Sequence, residues 1–154
     1  MKARAVAAVA GSLEEVEALW YDPARRPSWL DGFGRVASLQ GEWPRRGAVL
    51  TWDSRPGGRG RVRERVVAHE PGAGQRSEVE DERLEGVQSV AFEAREGGVQ
   101  ITFAIDYRLK ERTLVTPLVD LLFVRRAMTA SLQRSLTRFA REWTVDAELH
   151  PRGS

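Results

Sequence analysis

Val99-Gln100-Ile101-Thr102-Phe103-Ala104-Ile105-Asp106-Tyr107-Arg108-Leu109 is the stretch on which the fold turns. Val99, Ile101, Phe103, Ile105, Tyr107 and Leu109 fall on one side of an extended chain, and Gln100, Thr102, Asp106 and Arg108 on the other. That is the period of two of a strand with one buried and one wet face. Working back from it, strand-like runs stand at 86–95, 75–82, 60–68, 47–53 and 35–40, with a looser alternation at 2–10. The stretch 75–82 is mostly charged and the least regular. Pro44, Pro56-Gly57-Gly58, Pro71-Gly72-Ala73-Gly74 and Glu96-Gly97-Gly98 punctuate the runs as turns. Consecutive strands with short turns predict an antiparallel meander, and the first strand should pair back into the same sheet.

Beyond this strand the period changes. Thr116 and Pro117 have the chemistry of a helix N-cap and first turn, and no further breaker occurs before Pro151, so a helix of about thirty residues is expected. At about 100° per residue, Leu118, Leu121, Met128, Leu132, Leu136, Phe139 and Trp143 form one stripe, with Arg134, Arg138 and Arg141 on the far side, facing water. Between the first two strands, Ser12 and Glu15 have capping-box spacing, and Val16, Leu19 and Trp20 supply an inward face. Asp22-Pro23 stops that helix, and Ser28-Trp29-Leu30 allows one more helical turn. The expected class is α+β: a curved seven-stranded antiparallel sheet wrapped around a long C-terminal helix, with two short helices after strand 1. Residues 1–147 form a single domain in this reading and 148–154 a flexible tail.

Composition narrows the chemistry. The 154 residues are 42% hydrophobic and 30% charged, which suits one packed core. With no cysteine a thiolate metal site is excluded, with only His69 and His150 a multi-histidine site is not expected, and no metal or cofactor is expected. Both histidines are expected at the surface. A formal charge of +2 gives no reason to invoke nucleic acid. The first residues lack the apolar core of a signal peptide, and Pro117 and Asp120 interrupt the run Leu114–Val124, so a cytoplasmic protein without an integral membrane segment is expected. Ser54-Arg55-Pro56-Gly57-Gly58-Arg59-Gly60 lacks the ending and following helix of a phosphate loop and reads as a hairpin turn.

Two charged residues break the apolar pattern. In the 60–68 run, Glu64 points inward between Val62 and Val66, while Arg61, Arg63 and Arg65 face outward toward the acids of 78–82. A carboxyl removed from water can act as a general acid or base near neutral pH, which makes Glu64 the one candidate for such work. Arg125 falls within the apolar stripe between Leu121 and Met128. It either holds an acidic ligand, pairs with an inward acid such as Glu64, or snorkels out where the helix overhangs the sheet.

Leu19-Trp20-Tyr21-Asp22-Pro23-Ala24-Arg25-Arg26-Pro27-Ser28-Trp29-Leu30 joins the first strand to the meander, and Gly47 to Trp52 forms the third strand. In these segments, and in its order of elements across residues 1–147, the chain resembles the SRPBCC superfamily of helix-grip proteins. That group holds START lipid-transfer domains, birch-pollen-allergen-like proteins and, most similar here, polyketide cyclase/dehydrase-like proteins. The resemblance implies a cavity between sheet and long helix, with Trp29, Trp52, Phe103, Tyr107, Leu121, Met128 and Leu132 around it and Glu64 and Arg125 as polar groups. Trp29 reads equally as an aromatic plug locking the short helix to the sheet, and Phe103 and Tyr107 read equally as core aromatics. The implied function is binding, sequestration or transfer of a small hydrophobic molecule (lipid, polyketide-like or aromatic), by a monomer or homodimer with room for transient membrane contact. A cyclase or dehydratase in which Glu64 or Arg125 assists enolisation, and an interaction module with a filled core, are the alternatives.

Overall fold

The computed structural model describes residues 1–110 and 118–151, so the expected helix start at Thr116 and Pro117 lies outside the described residues. The elements are β1 (Lys2–Ala10), α1 (Leu13–Tyr21), a 3-10 turn (Pro23–Arg25), α2 (Arg26–Trp29), β2 (Phe33–Gln40), β3 (Val49–Ser54), β4 (Arg61–Glu70), β5 (Gly74–Glu80), β6 (Leu84–Arg95), β7 (Gly98–Leu109) and α3 (Leu118–Leu149). The strands form one antiparallel sheet in the order β1-β7-β6-β5-β4-β3-β2, which confirms the meander and the return of the first strand. The charged run after Gly74 is a strand, but it stops at Glu80, and Asp81 belongs to the following turn.

Local chemistry sets these boundaries. The Ser12 hydroxyl accepts the Glu15 N–H at 3.3 Å and opens α1, while the Asp22 carboxylate accepts from the Ala24 N–H at 3.0 Å and starts the next turn where Pro23 has ended the helix. Two close backbone approaches in the sheet require the absence of a side chain. A Cβ on Gly86 would lie 2.3 Å from the Asp106 carbonyl oxygen, and one on Gly34, beside a register shift in β2, would lie 2.6 Å from that of Asp53.

Trp20, on α1, is the hub of the core. Its ring lies 4.4 Å from Trp29, 5.1 Å from both Phe103 and Phe139, and 5.9 Å from Phe92, joining α1, α2, β6, β7 and α3. The 32-residue α3 closes on the sheet unevenly. Leu132, Leu136, Phe139 and Trp143 are buried, and the Trp143 indole donates to the Ala10 carbonyl at 2.6 Å. Toward its N-terminal half, Leu121 and Met128 are only half-buried, and Leu122 and Phe123 are exposed. Arg134 and Arg138 do not simply face water, as expected, but converge on Asp31. Among the described residues no helix is long and apolar enough to cross a membrane.

Because Phe139 is fully buried against Trp20 and Trp29, Phe139→Ala is expected to cost about 3–5 kcal/mol through lost contacts and a residual void. Equilibrium urea unfolding checks this. A loss below about 1 kcal/mol would show that α3 does not close the core at this point.

Candidate functional site: a cavity over a buried polar network

Alternation along β4 carries Glu64 to the inner face between Val62 and Val66, where it is 1% exposed. Its partner comes from α2: Arg26 Nη1 donates to Glu64 Oε2 at 2.7 Å, and the arginine is itself 2% exposed. The Trp52 indole also donates to Oε2 at 2.7 Å, and the Gln88 amide to Oε1 at 3.1 Å. The Arg26 guanidinium lies 5.2 Å from the Trp43 ring and 5.9 Å from that of Trp29, so aromatic faces cover what the carboxylate does not. The Trp43 indole in turn donates to the Tyr21 carbonyl at 2.7 Å. Removing either charge would strand the other in a buried site.

Beside this network lies a cavity of about 360 Å³, where α3 stands off from the sheet. Trp52, Gln88, Phe103, Ile105 and Leu109 line it from the sheet, and Val124, Met128 and Leu132 from α3. Two polar clusters flank it. On one side Asp81 accepts the backbone N–H groups of Arg83 and Leu84 at 2.8 and 2.9 Å, and holds the Arg59 Nε at 2.6 Å. On the other, Asp31 accepts from the Ser131 hydroxyl at 2.7 Å, Arg134 Nη2 at 3.0 Å and Arg138 Nη1 at 3.1 Å. The Ser135 hydroxyl accepts from the Asp31 N–H at 2.9 Å. Burial works to raise the Asp31 carboxyl, but the hydrogen bonds from Arg134 and Ser131 and the charges of Arg134 and Arg138 outweigh it, so the group titrates below its ordinary 3.8.

Of the residues expected at the site, Trp52, Phe103, Met128 and Leu132 line the cavity. Glu64 lies beneath it, joined through Trp52 and Gln88. Trp29 is a plug: it is 1% exposed, packs on Trp20 and Phe139, and borders only a void of about 10 Å³. Tyr107 and Leu121 border a separate void of about 50 Å³, where burial pushes the Tyr107 hydroxyl up against the opposing charge of Arg125. Arg125 neither meets Glu64 nor lines the cavity. It is exposed, and its Nε donates to the Lys2 carbonyl at 3.2 Å, the snorkelling alternative. His69 is half-buried, not at the surface as expected, because its ring packs edge-on to Tyr21 at 5.3 Å. The loop from Arg55 to Gly60 is a hairpin connection, but Gly57, Gly58 and Arg59 also edge the cavity.

Sequence reasoning missed Arg26, Asp31, Arg59 and Gln88. Only Gln88 carried a periodic signal, since it shares its strand face with Leu84, Val90 and Phe92.

The chain belongs to the family described as polyketide cyclase / dehydrase and lipid transport, whose model matches residues 1–144. No curated protein sequence matches it. Among solved structures it is similar to the di-domain ARO/CYC StfQ from the steffimycin biosynthetic pathway, at 17% identity and a TM-score of 0.73, over 94% of this chain and 51% of StfQ. DynU16, from the dynemicin biosynthetic locus, gives 16% identity and a TM-score of 0.68 over 93% of this chain and 47% of its own. A protein from Thermus thermophilus gives 16% and 0.73 over 96% and 99% of the two chains. The chain thus spans about half the length of StfQ and DynU16. Likeness at these identities shows a common fold.

Glu64→Ala is expected to cost about 3–5 kcal/mol, whereas Glu64→Leu combined with Arg26→Met, which removes both charges, should recover most of that loss. A double variant no more stable than Glu64→Ala would mean that the hydrogen bonds to Trp52 and Gln88, not charge pairing, dominate. Asp31 contributes stability above its unfolded titration that is lost as pH falls through its depressed folded value. Wild-type Tm should therefore fall more steeply than that of Asp31→Asn between about pH 5 and pH 2. Parallel acid limbs would show that the Asp31 cluster adds nothing.

Proposed function

We propose that the protein binds a small, largely apolar molecule of the lipid, polyketide-like or aromatic kind between the sheet and α3, and sequesters or transfers it. The observation that carries this reading is the cavity of about 360 Å³, walled by aromatic and aliphatic side chains with polar groups at its edge. Its size and lining suit a compact ligand that gains affinity from buried apolar area and orientation from a few polar contacts. Membership of a family described by polyketide cyclisation, dehydration and lipid transport supports the same class of ligand. The binding unit in this reading is the domain 1–147.

A carrier fits better than a cyclase or dehydratase that uses Glu64. Both oxygens of that carboxylate accept hydrogen bonds from Arg26, Trp52 and Gln88, and Glu64 does not line the cavity. Proton exchange with a ligand would require this arrangement to open. The aromatic core around Trp20 fills the space nearer α1 and leaves the cavity open, which argues against a module whose interior is wholly self-filled.

Titration with the environment-sensitive fluorophore N-phenyl-1-naphthylamine, an apolar probe that carries one N–H, tests the reading. Saturable one-to-one binding with blue-shifted emission is expected. Met128→Trp, which puts a larger ring on the cavity wall, should weaken it at least tenfold at unchanged Tm. Undiminished affinity in Met128→Trp, or no saturable binding by the wild type, would count against the cavity as the binding site.

A further inference from the structure

The floor of the cavity has a direction. Paired with Arg26 at 2.7 Å, Glu64 presents acceptor oxygens, so the Gln88 amide meets it through Nε2, 3.1 Å from Oε1. The reverse orientation would set two acceptors against each other. With its nitrogen committed, the amide keeps its carbonyl oxygen for another donor, and Gln88 borders both the cavity and the void of about 10 Å³ that Arg26 also lines. Among the described residues nothing donates to that oxygen, and it is not among the sealed, unpaired polar atoms. Gln88 is half-buried and lines the cavity beside Trp52 and Phe103. The hydroxyls of Ser131 and Ser135 are already committed, to Asp31 and to the Ser131 carbonyl respectively.

We infer that the cavity selects ligands that carry a hydroxyl or N–H donor, of the phenol or enol kind, and that Gln88 Oε1 is the acceptor that reads it. The inference rests on the binding proposed above and adds the functional group. A buried acceptor left without a donor disfavours a ligand of the same shape that lacks one, and this gives selectivity that apolar contact alone does not. Glu64 is then a positioning residue. Its carboxylate fixes which end of the Gln88 amide the ligand meets.

The test compares 2-naphthol with 2-methoxynaphthalene, binding being followed by calorimetry on the full chain. The ether is the more hydrophobic, so an indifferent apolar cavity would hold it at least as tightly. Wild type is expected to prefer 2-naphthol by tenfold or more, and Gln88→Met to abolish or invert that preference while still binding the ether. If Gln88→Met does not fold, Gln88→Asn, which withdraws the carbonyl by one methylene, is expected to reduce the preference. Equal binding of the two probes, or tighter binding of the ether, by wild type would overturn the inference and leave the cavity reading standing. A naphthol preference that survives in the Gln88 variants would overturn the role given to that residue. Failure of both probes to bind wild type would remove the cavity reading and the inference with it.

Discussion

A buried guanidinium and a buried carboxylate persist by compensating each other's charge, and the Arg26–Glu64 pair does this across 38 residues of chain while leaving Arg26 Nε without a partner. The pair ties the short helix α2 to the inner face of β4, and its further donors reach into β3 through Trp52 and β6 through Gln88. Trp29 and Trp43 cover the guanidinium from α2 and from the β2–β3 connection. Two large apolar side chains of matching volume would fill the same space with less desolvation cost. What the charged pair provides beyond packing is orientation: the indole of Trp52 and the amide of Gln88 are each held by a specific hydrogen bond, and both then form part of the cavity floor.

The cavity itself follows from the asymmetry of α3. Its C-terminal half is committed to the core through Leu132, Leu136, Phe139 and Trp143. Toward its N-terminal half Val124 and Met128 are only half-buried, and with Phe103, Ile105 and Leu109 of β7 they line the cavity. Asp31 accepts from Ser131, Arg134 and Arg138 on successive turns of α3, which ties the segment after α2 to the helix beside the opening. The two ion clusters therefore have separate structural roles. Arg26–Glu64 underlies the floor, and Asp31 ties the connection between α2 and β2 to α3.

The fold was legible because its elements carry their own periodicity. β7 alternates throughout and β4 does so as far as Val66, where a register shift changes its phase, and the capping chemistry of Ser12 and the break at Asp22-Pro23 act within a few residues of where they stand. Glu64 was legible for the same reason, since a period of two assigns its face. Its partner was not. Arg26 sits in a short proline-bounded segment with no period to read, and the likeness of that segment to a family motif carries the fold without saying which of its two arginines turns inward. Arg125 shows the converse limit. A helical rotation gives the angle of a residue around its axis, but not whether a neighbouring strand lies beneath it at that height, and Arg125 reaches the edge strand β1 instead of the interior.

Hydrogen-bond commitment and position together separate two roles that one buried acid can play. An acid that exchanges a proton with a ligand needs an oxygen free to meet the reacting group. Glu64 is the opposite case, because its oxygens are occupied by donors from three different elements. Such a carboxylate acts on a ligand only through the groups it holds in place. In the proposed binding role, the sheet and the gripped helix set the shape and size of the ligand, and the contents of the polar floor decide which molecule of that shape is kept.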